Sequence, residues 1–207
     1  KWYENIPVFS YIFLKGKCSN CHKTISILYP LIEILTASVT LILFRNYWLN
    51  MELILTILLF YNLIVLSFID FKYRAVPDYL LIIAVIIALL IGDLKNILLF
   101  AGGFVLLELF ITFYIQNIKA KITKNKALES QAALGEGDIP IVAVIGGILG
   151  IHLGISAIFL AALLALLPAL YNLISKKEIE TAFIPFLSLG LFITLITEFN
   201  IFSFFSY

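Results

Sequence analysis

Charged residues divide this chain into long apolar runs, and that division carries more information than any short-range alternation of polar and apolar positions. Apolar runs with few or no charges cover residues 27–44, 51–69, 79–92, 96–115, 139–151, 155–174 and 182–197. A helix rises 1.5 Å per residue, so roughly 20 apolar residues cross a hydrocarbon core of about 30 Å. The pattern predicts an all-α, polytopic membrane bundle with about seven transmembrane helices. The longest uncharged run, Ile139–Ser175, holds 37 residues, about twice one crossing. Its middle reads Gly150-Ile-His-Leu-Gly154, which predicts a turn between two helices. The 79–92 span is short and is expected to take Pro77 and Asp78 into its first turn, with Asp78 as a cap.

Composition removes the competing classes. Hydrophobic residues make up 62% and charged residues 13% of the 207 positions, against about 45–50% and about 25% in soluble domains. Mean hydropathy is +1.08. A soluble domain of this size cannot hide so much apolar surface, and a disordered chain would not carry it. The net charge of +1 gives no reason to expect a nucleic-acid partner; the lipid bilayer is the implied one.

Charge placement then orients the spans. Twelve of the 14 basic residues fall in alternate connections: segment 1–26 and the loops 70–78, 116–137 and 175–181. Only Arg45 and Lys95 lie on the other side. By the positive-inside rule these four connections are cytoplasmic. The 116–137 connection is the longest polar one and is expected to be partly helical. The chain opens at Lys1 without a methionine, and its first 21 residues lack the order of a signal peptide. It reads as a piece of a longer protein.

Few residues offer chemistry. Asp70 closes the second span in Ser67-Phe-Ile-Asp70, and Asp138 opens the fifth in Gly135-Glu-Gly-Asp138. Both are expected on the cytoplasmic side where hydrocarbon meets headgroups. Two acids brought together at such a boundary share one proton, forming an acid–base dyad. One carboxylate can take a proton from water while its protonated partner polarises a carbonyl. Gly135 and Gly137 remove side chains beside Asp138, leaving a bare strip for an extended peptide. An Asp at a span boundary also reads as a helix cap or topology marker, and that reading stays open for each acid taken alone. Asp93 reads as a loop residue, and His152 as a turn residue facing water. Glu33 and Glu108 lie within spans, where a carboxyl suggests either function or a hydrogen bond between helices. Cys18-Ser-Asn-Cys21 has the spacing of a zinc knuckle but supplies two of the four ligands that structural zinc takes.

Three blocks together resemble the type IV prepilin peptidases, a family of bifunctional leader peptidases and N-methyltransferases. The first runs from Trp2-Tyr-Glu-Asn-Ile-Pro-Val through Lys15-Gly-Lys-Cys-Ser-Asn-Cys21 to Tyr29-Pro-Leu-Ile-Glu33. The second is Ile69-Asp70 with Pro77-Asp78. The third is the G-x-G-D of Gly135-Glu-Gly-Asp138. Ile184-Pro-Phe-Leu-Ser-Leu-Gly190 is a weaker fourth match. The resemblance implies that Asp70 and Asp138 are the catalytic aspartates and that Gly135, Glu136 and Gly137 meet the substrate. It implies a cytoplasmic cysteine-bearing segment at 1–26 and a transmembrane aspartic peptidase domain at 27–207. The family has eight spans, so its first span is expected to be absent here. Its zinc site uses two cysteine pairs, of which Cys18 and Cys21 match the second, leaving zinc and methyl transfer in question for this chain.

The implied reaction is cleavage of a prepilin or pseudopilin precursor after a glycine in its basic leader, at the cytoplasmic face of the bacterial inner membrane. Proteolysis needs no cofactor; S-adenosylmethionine would serve methylation of the new N-terminus. The competing reading is a proton-coupled transporter or channel with Glu33, Glu108 and the two aspartates as a proton path. It ranks lower, because no acidic track crosses the full membrane depth.

Overall fold

The structure is a computed structural model that describes Ile6, residues 8–123, Gly135, residues 137–174 and residues 181–204. Its described residues are overwhelmingly helical, and the chain divides into two compact units, Lys1–Ile57 and Leu58–Tyr207, with the boundary inside one helix.

In the first unit a short helix α1 (Phe9–Phe13) precedes a compact turn and then α2 (Leu28–Asn46). The turn is pinned by an isolated antiparallel bridge between Lys17 and Thr24. Within it the Cys18 N–H donates to the Lys23 carbonyl at 2.9 Å and the His22 N–H to the Cys18 carbonyl at 3.0 Å. His22 takes a left-handed φ of 54° to close it. The Glu33 carboxylate, on α2, accepts the Val8 N–H at 2.8 Å and so ties the start of α1 to the helix. Asn50 Oδ1 accepts the Leu53 N–H at 2.8 Å, an N-terminal cap for α3 (Met51–Tyr73).

The second unit is built around α3, α4 (Asp78–Ile91), α5 (Leu94–Phe113), α7 (Asp138–Ile174) and α8 (Ile184–Thr197). Past its predicted end, α5 runs on through a π-helical turn, Tyr114–Lys119, into α6 (Ala120–Thr123). The 116–137 connection is thus helical as far as Thr123; residues 124–134 and Glu136 lie outside the described residues. Buried positions follow helical spacing: Leu59, Leu63 and Leu66 on α3, and Ile184, Leu187 and Leu191 on α8. Along α3 the next place on that buried face is Asp70. Helix α8 lies against α3 through the edge-on pair Phe60–Phe192, with ring centroids 5.2 Å apart, and Asn62 Nδ2 donates to the Leu80 carbonyl of α4 at 2.9 Å. The opposite faces remain apolar, as with Ile82, Ile86 and Leu90 of α4. Apolar residues on both faces mean lipid on the outside, so the chain is a polytopic helical membrane protein.

The 37-residue α7 contains the predicted break. Gly150 has φ 73° and ψ −171°, a conformation open essentially to glycine alone. A Cβ on Gly154 would lie 3.5 Å from the Gly146 Cα, whereas eight residues along an unbroken helix span about 12 Å. The chain therefore doubles back at Gly150, and α7 is a helical hairpin with arms 138–149 and 151–174. The Gly147 carbonyl, just before the break, accepts the Asp93 N–H at 3.0 Å, fastening the hairpin to the α4–α5 connection. With the hairpin opened, the seven predicted spans correspond to seven apolar helical segments among the described residues. Among the described residues, the segments Leu28–Asn46, Met51–Tyr73 and Leu94–Lys119, and the broken α7 taken as a whole, are long and apolar enough to cross a membrane. The 14-residue α4 and α8 are each about 21 Å long, and the 138–149 arm about 18 Å.

Three readings of single residues are sharpened. Asp93 lies in the α4–α5 connection, as expected, and from there its side chain accepts the Lys95 N–H at 3.1 Å and caps α5. His152 is exposed but lies in the second hairpin arm, edge-on to Phe202 with centroids 5.3 Å apart. Asp78 opens α4 as its first residue without a side-chain cap bond, Pro77 standing at the cap position.

Candidate active site

Asp70 sits in the last turn of α3, where the apolar stripe carries it inward, and it is only 8% exposed. A carboxylate at that depth needs partners. Its Oδ2 accepts the main-chain N–H of Ile184 at 3.1 Å, a buried bond joining positions 114 residues apart. Its own carbonyl accepts the Arg74 N–H at 2.8 Å. Arg74 adopts a left-handed φ of 54°, which ends α3 and turns the chain toward Pro77. The Arg74 charge also acts on the Asp70 carboxylate.

Asp138 is the first residue of α7 and is half-buried. Its N–H donates to the Gly135 carbonyl at 3.0 Å, a tight turn leading into the helix. Asp70 and Asp138 lie within electrostatic reach of each other. The packing around Gly137 explains why. A Cβ there would stand 2.6 Å from Val76 Cγ2, 3.6 Å from Ile184 Cδ1 and 3.8 Å from Leu81 Cδ1. Glycine at 137 thus lets the strip before Asp138 lie flat on the α3–α4 connection and on Ile184, the residue whose amide holds Asp70. At Gly135 the added carbon would lie 3.2 Å from Asp138 Oδ2, so a side chain would crowd the carboxylate. One turn further into the bundle, Ser67 Oγ donates to the Leu63 carbonyl at 2.7 Å and lies 3.3 Å from Ser188 Oγ.

Asp70, Asp138, Gly135 and Gly137 are therefore brought together at one end of the second unit. Glu136 lies outside the described residues. The Ile184 main-chain amide escaped the residue-by-residue reading, because a backbone donor has no side-chain signature. The only signal was the Ile184–Gly190 block, which offered no role.

Cys18 and Cys21 lie in the first unit, on the bridged turn. Among the described residues no group of three or more His, Cys, Asp and Glu side chains is placed to hold a metal. Two thiols supply half of a tetrahedral zinc set, so the residues described do not by themselves fit zinc.

Comparison with known sequences gives the same picture from another direction. Residues 1–47 match the profile of the bacterial peptidase A24 N-terminal domain, and residues 57–170 that of the type IV leader peptidase family. The chain is 31% identical over 195 residues to a prepilin leader peptidase/N-methyltransferase of Neisseria gonorrhoeae, covering 91% of this chain and 64% of that protein. It is 30% identical to the protein of the same name from Legionella pneumophila, covering 90% and 63%. With the one from Bacillus subtilis it shares 28% identity, covering 88% and 70%. The chain thus spans a little under two thirds of the length of the first two relatives. No solved structure matches it significantly. A profile that covers more than half of the residues, and includes both acids of the site, shows that the chain belongs to the type IV leader peptidase family.

Proposed function

We propose that this chain is an aspartic-type membrane endopeptidase that removes the leader of prepilin-like precursors after a glycine. The observation that carries the proposal is the pairing of Asp70 with Asp138. The two are 68 positions apart in sequence, come from different helices, and stand at one end of one unit within electrostatic reach. In the reaction one carboxylate accepts a proton as water attacks the scissile carbonyl carbon. The other, protonated, gives its proton to the carbonyl oxygen. Collapse of the tetrahedral species breaks the C–N bond and passes a proton to the departing amine. No serine or cysteine nucleophile is required.

The same end of the bundle suits a precursor whose apolar helix remains in lipid. Its basic leader would meet Asp70, Asp138 and Glu136. The Lys and Arg bias of the connections supports a cytoplasmic-facing site in a bacterial inner membrane. The names of the relatives extend the proposal to N-methylation of the new N-terminus, with S-adenosylmethionine as donor. No residue of this chain is assigned to that step.

The test is cleavage of a model prepilin by the purified protein in detergent or liposomes, followed by mass. Cleavage after the leader glycine is expected, with loss when that glycine is replaced by a bulky residue. Cleavage elsewhere, or no cleavage of any leader-bearing substrate, would reject the proposal.

A further inference from the structure

We infer that the N-terminus of α8 is a positioning element for Asp70, acting through the main-chain N–H of Ile184. The inference deepens the peptidase reading and rests on it for its catalytic consequence.

The first N–H groups of any α-helix have no partner inside the helix and are normally capped by a nearby side chain. At α8 the cap residue is Phe183, whose side chain makes no such bond, and Pro185 follows with no N–H to give. Phe186 and Leu187 both donate back to the Phe183 carbonyl, at 3.0 and 3.1 Å. The Ile184 N–H is left pointing out of the helix end, and Asp70 Oδ2 accepts it at 3.1 Å. A helix 114 residues downstream is thereby capped by an acid from α3. The positive end of the helix dipole and a charge-assisted hydrogen bond both favour that arrangement.

The consequence for the acid is geometric. Oδ2 is committed to α8, and the Ile184 side chain, 2% exposed, is itself locked in packing. The carboxyl plane can no longer rotate freely, and the Phe183 amide at the same helix start also bears on the carboxylate. Gly137 packs on this same Ile184. One residue therefore fixes one acid by its amide and seats the strip before the other acid with its side chain. Serine in place of Ile184 would keep the amide but lose the side chain on which Gly137 packs.

The experiment removes the Ile184 N–H, using the α-hydroxy acid analogue of isoleucine at position 184 so that an ester replaces the amide; the exchange also weakens the Phe183 carbonyl as an acceptor, an effect that the Asp70→Ala background holds constant. The same exchange at Leu187, whose N–H bonds within the helix, is the control. The expected result at 184 is a fall in kcat of roughly tenfold with KM unchanged, because an orienting contact acts on the transition state and not on substrate capture. The control ester should leave kcat within about twofold. A second readout does not depend on activity: thermal unfolding of the purified protein, with each ester combined with Asp70→Ala. The 184 ester should lower the midpoint in the Asp70 background and much less once Asp70 is gone, whereas the 187 ester should lower both equally. Additive effects at 184 would overturn the contact. Coupled effects with kcat intact would overturn the positioning role. A protein that unfolds as expected but never cleaves a leader would instead reject the peptidase reading and leave the capping contact standing.

Discussion

Gly137→Ala is the sharpest single test of how the second acid is seated. The new Cβ would stand 2.6 Å from Val76 Cγ2, against roughly 3.5–4.0 Å for carbons in ordinary contact. About 1 Å must be found, in a place where Ile184 and Leu81 close the other sides at 3.6 and 3.8 Å. Overpacking of this kind costs typically about 1–3 kcal/mol. If the strip moves instead of Val76, Asp138 moves with it, since it is the adjacent residue. A displacement of about 1 Å at reacting groups can cost on the order of 100-fold in rate. The assay is leader cleavage under single-turnover conditions, alongside thermal unfolding to confirm folding. Gly137→Ala should lose one to two orders of magnitude, and the double variant Val76→Ala with Gly137→Ala should recover most of it, because the colliding methyl is gone. A wild-type rate in the single variant, or no recovery in the double, would refute the account of Gly137 as a close-approach glycine.

Other outcomes follow from the same geometry. Asp70→Asn and Asp138→Asn should each lower cleavage by about 10³-fold or more while the protein still purifies as a folded species, since neither acid of a shared-proton pair can act alone; substantial turnover in either would end the dyad reading. The rate of the parent enzyme should fall at both ends of its pH range, because the pair must hold one proton between them; a rate rising monotonically with pH would contradict this. Gly150→Ala should lower the unfolding midpoint through about 1–3 kcal/mol of backbone strain at the hairpin turn, with the cleavage rate per folded molecule kept. Single cysteines introduced beside positions 70 and 138 should label from the same membrane face; labelling from opposite faces would dismantle the site.

Much of this arrangement could be read from residues because it rests on side chains in the wrong solvent. Asp70 and Asp138 stood out as acids closing and opening apolar runs. Gly150 was legible because 37 uncharged residues are too many for one crossing and glycine is the place to turn. What escaped was main-chain chemistry. The Ile184 amide has no signature in its own side chain, and only three-dimensional packing shows that it faces an acid over a hundred residues away. Asp93 shows how much a connection can hide: an acid just ahead of an apolar run carries a capping signal, and α5 begins two residues before the uncharged run, so the residue is both in the connection and the cap of the helix. The extension of α5 into a π-helical turn was hidden for a related reason: Gln116 and Asn117 look like the start of a polar connection, yet the backbone keeps bonding through Lys119.

Three of the segments around the acids are short, at about 18–21 Å, and all three start at the end where Asp70, Gly137 and Ile184 meet. Such pieces are shorter than a hydrocarbon core of about 30 Å. Local thinning of the bilayer is one way to accommodate that mismatch, and it would bring headgroups and water toward the carboxylates. A precursor helix of ordinary length sliding into that thinned zone would have its end lifted clear of the acyl chains while still wound. The scissile bond would then be presented to water by lipid shape, sparing the protein from having to unwind it.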